Sequence, residues 1–178
     1  MNRLPAEFEI FNYGIFVRLV QKSDAAFIVN LRQHNKKSIH LSKISNDVEM
    51  QEKWLESYKI RELNGEEYYL IFEDDTHKPF GLIRLYDFVE NTFTSGSWIM
   101  KDGIPEMDSF KADLIAAEIG FDVLKFEKCV IDVRKENKKV VAYHKKFFTV
   151  FKEDEQNFYL SMNREQFEKK QSFLKKII

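Results

Sequence analysis

Cysteine is almost missing from this chain: Cys129 is the single thiol among 178 residues. It can form no internal disulfide and has no partner for a zinc site. Its place inside an apolar strand pattern marks a buried structural thiol rather than a nucleophile. Glycine and proline are scarce too, at six and three. No linker, repeat or low-complexity tract interrupts the chain, so residues 1–178 read as a single domain. No run approaches the roughly 20 apolar residues that cross a bilayer. The stretch MNRLPAEFEIFNYG carries Glu7 and Glu9 where a secretory signal has its apolar core, so the expected location is cytoplasmic, without a membrane partner. A surplus of one charge is lacking as well: 28 Lys and Arg against 29 Asp and Glu leave a formal net charge of -1. That balance argues against a general nucleic-acid binder. The four histidines, His34, His40, His77 and His144, show no ligand spacing, and no metal is expected.

Hydrophobic material is plentiful. Apolar residues make up 44% of the chain and 17 are phenylalanine, enough for a sizeable core. IFVRLV (15–20) reads as a strand, and SDAAFIVNLRQ as a helix capped by Ser23 or Asp24. The segment from Ser45 to Gly65 reads as a longer helix, capped near Ser45 or Asn46 and closed by Asn64-Gly65. EYYLIFED and KPFGLIRLYDFV, parted by a turn at Asp74–Lys78, are strands, as is FTSGSWIM. A helix over 109–126 leads to the strand KCVIDVR and a short helix bearing Tyr143 and His144. TVFKEDE and NFYLSM form a closing antiparallel pair, and REQFEKKQSFLKKI an amphipathic tail helix. The order βααβββαβαββα predicts an α/β (α+β) layer structure, a mixed central sheet with helices on both faces.

Within this order, GSWIMKDG (96–103) and DVRKENKKVVAYHKKFF (132–148) resemble the GNAT superfamily of acyl-CoA-dependent N-acyltransferases. The set RLYD (84–87), GSWI (96–99), VRKEN (133–137) and YH (143–144) is similar to bacterial N-acyltransferases that act on nucleotide-linked amino sugars. The resemblance implies two splayed parallel strands, 93–100 and 128–134, between which the pantetheine arm of acyl-CoA bonds as if it were an extra strand. The backbone groups of Ile99 and Met100 are the implied holders of that arm, with Ser109, Asn137 and Lys138 on the cosubstrate side. In the family a glycine-containing loop opens the next helix and holds the pyrophosphate. Here the glycines give way to Ile104, Pro105, Glu106, Met107, Asp108 and Ser109, and two of these are acids.

The family tyrosine that protonates the departing thiolate lies seven residues after an asparagine. Counted from Asn137 that position is His144, so His144 is the implied general acid, or a donor to the sulfur. Tyr143 occupies an apolar core position and is the alternative donor. On the acceptor side, Asp87 is the candidate to bind or deprotonate the amine, with Glu90 behind it, and a turn-capping aspartate is the competing reading. Gln51, Trp54, Tyr58 and Arg61 fall at i, i+3, i+7 and i+10, one helical stripe mixing aromatics with hydrogen-bonding ends. Such a stripe lines a pocket for a sugar and a nucleobase, or simply packs. Arg61 or Arg32 would pair a diphosphate, and Arg84 is either a phosphate clamp or half of a structural ion pair. Tyr86 and Trp98, inside the quoted motifs, belong to the same acceptor side.

The implied activity is acyl transfer from acetyl-CoA or another acyl-CoA to the amine of a dTDP- or UDP-linked amino-deoxy sugar, in surface polysaccharide biosynthesis. Transfer to a protein N-terminus or a small-molecule amine is the second reading, and an inactive GNAT-fold binding module the third. Exposed apolar strands near the C-terminus point to a homodimer.

Overall fold

Branched and aromatic residues in short runs become strands, and periodic apolar stripes become helices. The computed structural model describes residues 2–34 and 47–178. Its strands are β1 (Glu9–Asn12), β2 (Ile15–Leu19), β3 (Tyr68–Glu73), β4 (Pro79–Val89), β5 (Thr92–Met100), β6 (Lys128–Arg134), β7 (Thr149–Glu153) and β8 (Asn157–Asn163). Its helices are α1 (Ala25–His34), α2 (Val48–Asn64), α3 (Glu106–Glu118), α4 (Lys138–His144) and α5 (Arg164–Leu174). The strands form one mixed sheet in the order β1-β2-β3-β4-β5-β6-β8-β7, antiparallel throughout except for β5 beside β6. The expected element order holds, with β1 added in front. Among the described residues no helix is long and apolar enough to cross a membrane.

Two apolar layers sandwich the sheet. On one face, Ile28 and Leu31 of α1 and Leu55 and Tyr58 of α2 pack on Ile71, Leu82 and Ile99. On the other, Ile115 of α3 and Phe167 of α5 pack with Leu70, Ile83, Leu85 and Phe93. β3 is buried on both sides over its whole length, which is why it reads as a continuous apolar run rather than an alternating one. Burying a side chain such as the fully covered Phe93 contributes about 2–3 kcal/mol.

Local chemistry sets the helix ends. The Asp47 carboxylate accepts from the amides of Glu49 and Met50 at the start of α2, and Gly65, at φ 75°, closes it in the left-handed conformation that glycine adopts without strain. The expected caps Ser45 and Asn46 lie outside the described residues, as does His40. α3 starts at Glu106, with Pro105 at its cap position, three residues ahead of the expected Ser109. Ser109 is therefore inside the first turns of the helix rather than capping it.

Two bulges break the strand alternation where it matters. In β5 the register to β4 slips between Leu82–Ile99 and Arg84–Gly96, and Ser97 takes φ 52°. The extra residue exchanges the faces: Phe93 before it and Trp98 and Met100 after it all lie in the α3/α5 layer. In β4 the second slip, between Tyr86 and Val89, centres on Asp87 at φ 50°. Simple alternation would send Asp87 inward after Ile83 and Leu85. The bulge instead buries part of Phe88 against the core and leaves Asp87 exposed.

Candidate active site

β5 and β6 pair only at Thr92–Lys128, Phe93–Cys129 and Thr94–Val130. Beyond that point β5 stays with β4 as far as Met100, and β6 stays with β8 as far as Arg134. The two strands therefore part in a wedge, and no ladder joins the edges that face each other there. Backbone N–H and C=O groups on such edges need other partners. The Lys101 amide donates to the Phe80 carbonyl at 2.7 Å. Antiparallel alternation then aims the backbone groups of Ile99 at β4 and those of Met100 at the wedge. Of the two residues expected to hold a ligand there, Met100 is the one turned the right way; Ile99 serves the sheet.

α4 forms one side of this region. Seven residues are too few for a self-supporting helix, so its position comes from tertiary contacts. Asn137 stands at its cap position but makes no side-chain capping bond. Lys138, next to it, is exposed. At the other end, Tyr143 and His144 are 8% and 5% exposed. The Tyr143 ring stacks on Phe110 at 4.7 Å, and its hydroxyl donates to Asp113 Oδ2 at 2.6 Å. Burial and the Asp113 charge raise the phenol's pKa above its ordinary value. His144 lies edge-on to Trp98 at 5.4 Å and to Phe148 at 5.2 Å, and its Nδ1 is buried with no hydrogen-bond partner. Burial pushes its pKa down to about 4, with Asp113 pulling up and Lys170 pushing down. The imidazole is consequently neutral at pH 7. Trp98 Nε1 is also buried without a partner. The Ser97 bulge puts Trp98 beside His144 and Tyr143 rather than with the stripe on α2.

The opposite face of the sheet carries an arginine and aromatic cluster. The Glu67 carboxylate, 3% exposed, receives Arg61 Nε at 2.5 Å and Arg84 Nε at 2.6 Å. Both guanidiniums lie 5.4 Å from the Trp54 ring, and that of Arg84 lies 4.8 Å from the Tyr86 ring. Tyr86 leans over Gly96, where an added Cβ would meet its hydroxyl at 2.8 Å, so the close approach needs glycine. That contact carries Tyr86 to the unpaired part of β5. Arg32 hydrogen-bonds the Tyr69 hydroxyl, and Tyr69 in turn meets Trp54 edge-on.

The stripe read along α2 therefore divides. Trp54 is 36% exposed, and Arg61 reaches the cluster. Tyr58 is wholly buried: its hydroxyl donates to Glu62 and accepts from the Tyr69 amide at 2.7 Å, which makes it a core strut rather than a ligand contact. Gln51 is buried at 8% exposure. At the start of α3, Asp108 is paired with Lys111 at 2.9 Å, which offsets one of the two acids of its first turn. A cleft of about 480 Å³ lined by Phe121, Lys125, Glu127 and Arg164 sits at the other end of β6 and includes none of the expected site residues.

Sequence reasoning missed Asp113 and Lys170, although both left a signal. Asp113 interrupts the apolar run Ala112–Ala117, and Lys170 falls between Phe167 and Leu174 on the buried stripe of α5.

No protein-family model matches the chain, and no curated protein does. Solved structures do. Apo FdhC, a nucleotide-linked sugar GNAT, superimposes with a TM-score of 0.85 at 35% identity, covering 94% of this chain and 96% of that one. The ribosomal-protein-S5-alanine acetyltransferase of Vibrio fischeri follows with a TM-score of 0.75 at 15% identity, over 90% of this chain and 99% of that one. The Vibrio cholerae spermidine N-acetyltransferase in complex with CoA and spermine has a TM-score of 0.73 at 17% identity, over 88% and 99% of the two chains. At those lower identities the likeness concerns the fold alone.

Proposed function

The chain belongs to the GNAT superfamily of acyl-CoA-dependent N-acyltransferases, and from that premise we propose that it acylates the amine of a nucleotide-activated amino-deoxy sugar, dTDP- or UDP-linked, for surface polysaccharide biosynthesis in the cytoplasm. The observation that carries the choice of acceptor is the cluster on the α2 face. Two guanidiniums on one buried carboxylate leave a positive charge in excess, flanked by Trp54 and Tyr86. A diphosphate carries the matching negative charge, and a nucleobase stacks on such aromatics. The 35% identity to a nucleotide-linked sugar GNAT supports the same reading. A polyamine acceptor, itself cationic, is repelled by such a cluster.

In this reading the wedge between β5 and β6 takes the pantetheine arm of acyl-CoA, with the backbone of Met100 as a strand-like partner. Asn137, whose side chain is not spent on capping, and Lys138 contact the cosubstrate from α4. Ser109 and the first-turn amides of α3 serve its phosphates. Catalysis rests mainly on holding amine and thioester together.

One proton must leave the nitrogen as the C–N bond forms, and one must reach the sulfur as the C–S bond breaks. His144 is neutral at pH 7 because burial holds its pKa at about 4, so it has no imidazolium proton to give at the outset. It accepts the first proton and returns it to the thiolate, serving as base before it serves as the donor to the sulfur. The nitrogen becomes strongly acidic once bonded to the acyl carbon, so a weak base suffices. Tyr143, with its hydroxyl committed to Asp113, holds α4 and does not donate. Asp87, exposed on its bulge next to Tyr86, binds the incoming amine. The β7 edge, with Phe151 56% exposed, is the surface for a second copy of the chain.

Acetyl-CoA incubated separately with dTDP- and UDP-amino sugars, an N-terminal alanine peptide and spermidine, with free thiol as the readout, tests the assignment. Thiol release is expected with a nucleotide amino sugar at least about tenfold above the other amines. Release with the peptide or spermidine alone would move the acceptor assignment to that amine. No release with any acceptor, together with no thermal stabilisation by acyl-CoA, would favour an inactive binding module.

A further inference from the structure

A fully buried lysine stands behind the site. Lys170 of α5 is 0% exposed and Asp113 of α3 is 7% exposed, and their charged ends meet at 2.6 Å. Burial strips both ions of their hydration, and an apolar pair would fill the same space as stably. The arrangement therefore invites a functional explanation. The Asp113 Oδ2 atom that accepts from Lys170 also accepts from the Tyr143 hydroxyl at 2.6 Å, so one oxygen ties α3, α4 and α5 together. The Lys170 ammonium lies 5.7 Å from the Tyr143 ring and 5.6 Å from that of Phe148, the two aromatics that bracket His144. Asp113 and Lys170 both act electrostatically on the imidazole.

We infer that Asp113 and Lys170 are a positioning couple: through Tyr143 they fix α4 against the wedge, and their opposed charges offset each other at the buried imidazole of His144, so that it stands uncharged until the amine attacks. The inference rests on the acyl-transfer reading of the site. Asp113 alone would draw a proton onto His144, and Lys170 cancels that pull. The rings packed on the imidazole, those of Tyr143, Phe148 and Trp98, carry no charge. Tyr143 and Cys129 of β6, the latter with its thiol pushed up to about 12 by burial, stay protonated, and Trp98 of β5 does not titrate. The couple also explains how a seven-residue helix without a side-chain cap holds its last two residues in place.

The test is an NMR titration of the His144 imidazole in the wild type, Lys170→Met, Asp113→Asn and the double variant. In Lys170→Met the titration should move up by roughly one to two pH units, and in the double variant it should return close to the wild-type position. Asp113→Asn preserves the shape and the Tyr143 hydrogen bond, and should move it down. If Lys170→Met does not fold, the Asp113→Asn arm decides. An unmoved His144 in whichever single variant folds, or a shift of the opposite sign, overturns the inference. Turnover supplies a second readout. The ratio of kcat at about pH 6 to that at about pH 8 should fall further in Lys170→Met than in the wild type, by up to about twofold for the larger shift, whereas a merely loosened helix lowers kcat equally at both. The titration needs no substrate, so the couple can fail while acyl transfer stands, and the reverse.

Discussion

His144 should make the fold acid-sensitive, and replacing it with leucine should remove that sensitivity. The imidazole titrates at about 4 in the folded protein against 6.5 when free. Between those values the unfolded chain binds the extra proton, so acid pulls the equilibrium toward unfolding. The contribution is complete above the free value and is lost as pH falls toward the folded one. The gap of 2.5 units, at about 1.4 kcal/mol each, is worth about 3 kcal/mol in full. At about pH 5 the unfolded imidazole is nearly all charged and the folded one nearly all neutral, and about 2 kcal/mol of stability should be gone, a large share of an ordinary domain's total.

Urea unfolding of the wild type and His144→Leu at about pH 8 and about pH 5 measures this directly. The packing consequence of leucine is the same at both pH values and cancels in the difference, as do the other titrating groups. The wild type should lose about 2 kcal/mol more than the variant between the two conditions. Equal losses would mean that the imidazole is solvated and ordinary, and the neutral proton carrier assigned to it would have to be abandoned.

Two substitutions test the chemistry. His144→Phe should lower kcat by about ten- to a thousandfold with acyl-CoA affinity nearly intact, measured by thiol release and calorimetry; an unchanged rate would return His144 to the core. Arg61→Ala leaves Glu67 paired with Arg84 and should raise the acceptor KM by about tenfold while leaving that of acyl-CoA alone. Equal weakening of both ligands would defeat the assignment of this face to the acceptor.

Much of the fold was legible because short apolar runs and a few turn residues punctuate the chain clearly. The strand divergence was legible in outline, through the resemblance carried by residues 96–103 and 132–148. β1 escaped because EIFN alternates over only four residues and is half exposed. The early start of α3 had a signal that went unread: Pro105 followed by Glu106 and Asp108 is a favourable first turn, since acids there suit the helix dipole. Bulges were not legible, because Ser97 and Asp87 carry no mark that they adopt positive φ, and each reverses which face the following residues occupy. That reversal moved Trp98 to the side of His144 and Asp87 outward. The stripe on α2 misled at Tyr58, because helical spacing cannot tell a ligand-facing phenol from one spent on Glu62 and a backbone amide. Asp113 and Lys170, 57 positions apart, were each visible as a charge on an apolar stripe, but their pairing exists only in three dimensions.

Hydrogen exchange with and without saturating acetyl-CoA addresses the wedge itself. A thioester arm lodged between β5 and β6 should slow exchange of the amides over 95–101, Met100 foremost, and over 134–138. Bound acetyl-CoA that leaves both segments unchanged, or protects only the cleft around Phe121 and Lys125, would contradict the placement of the cosubstrate.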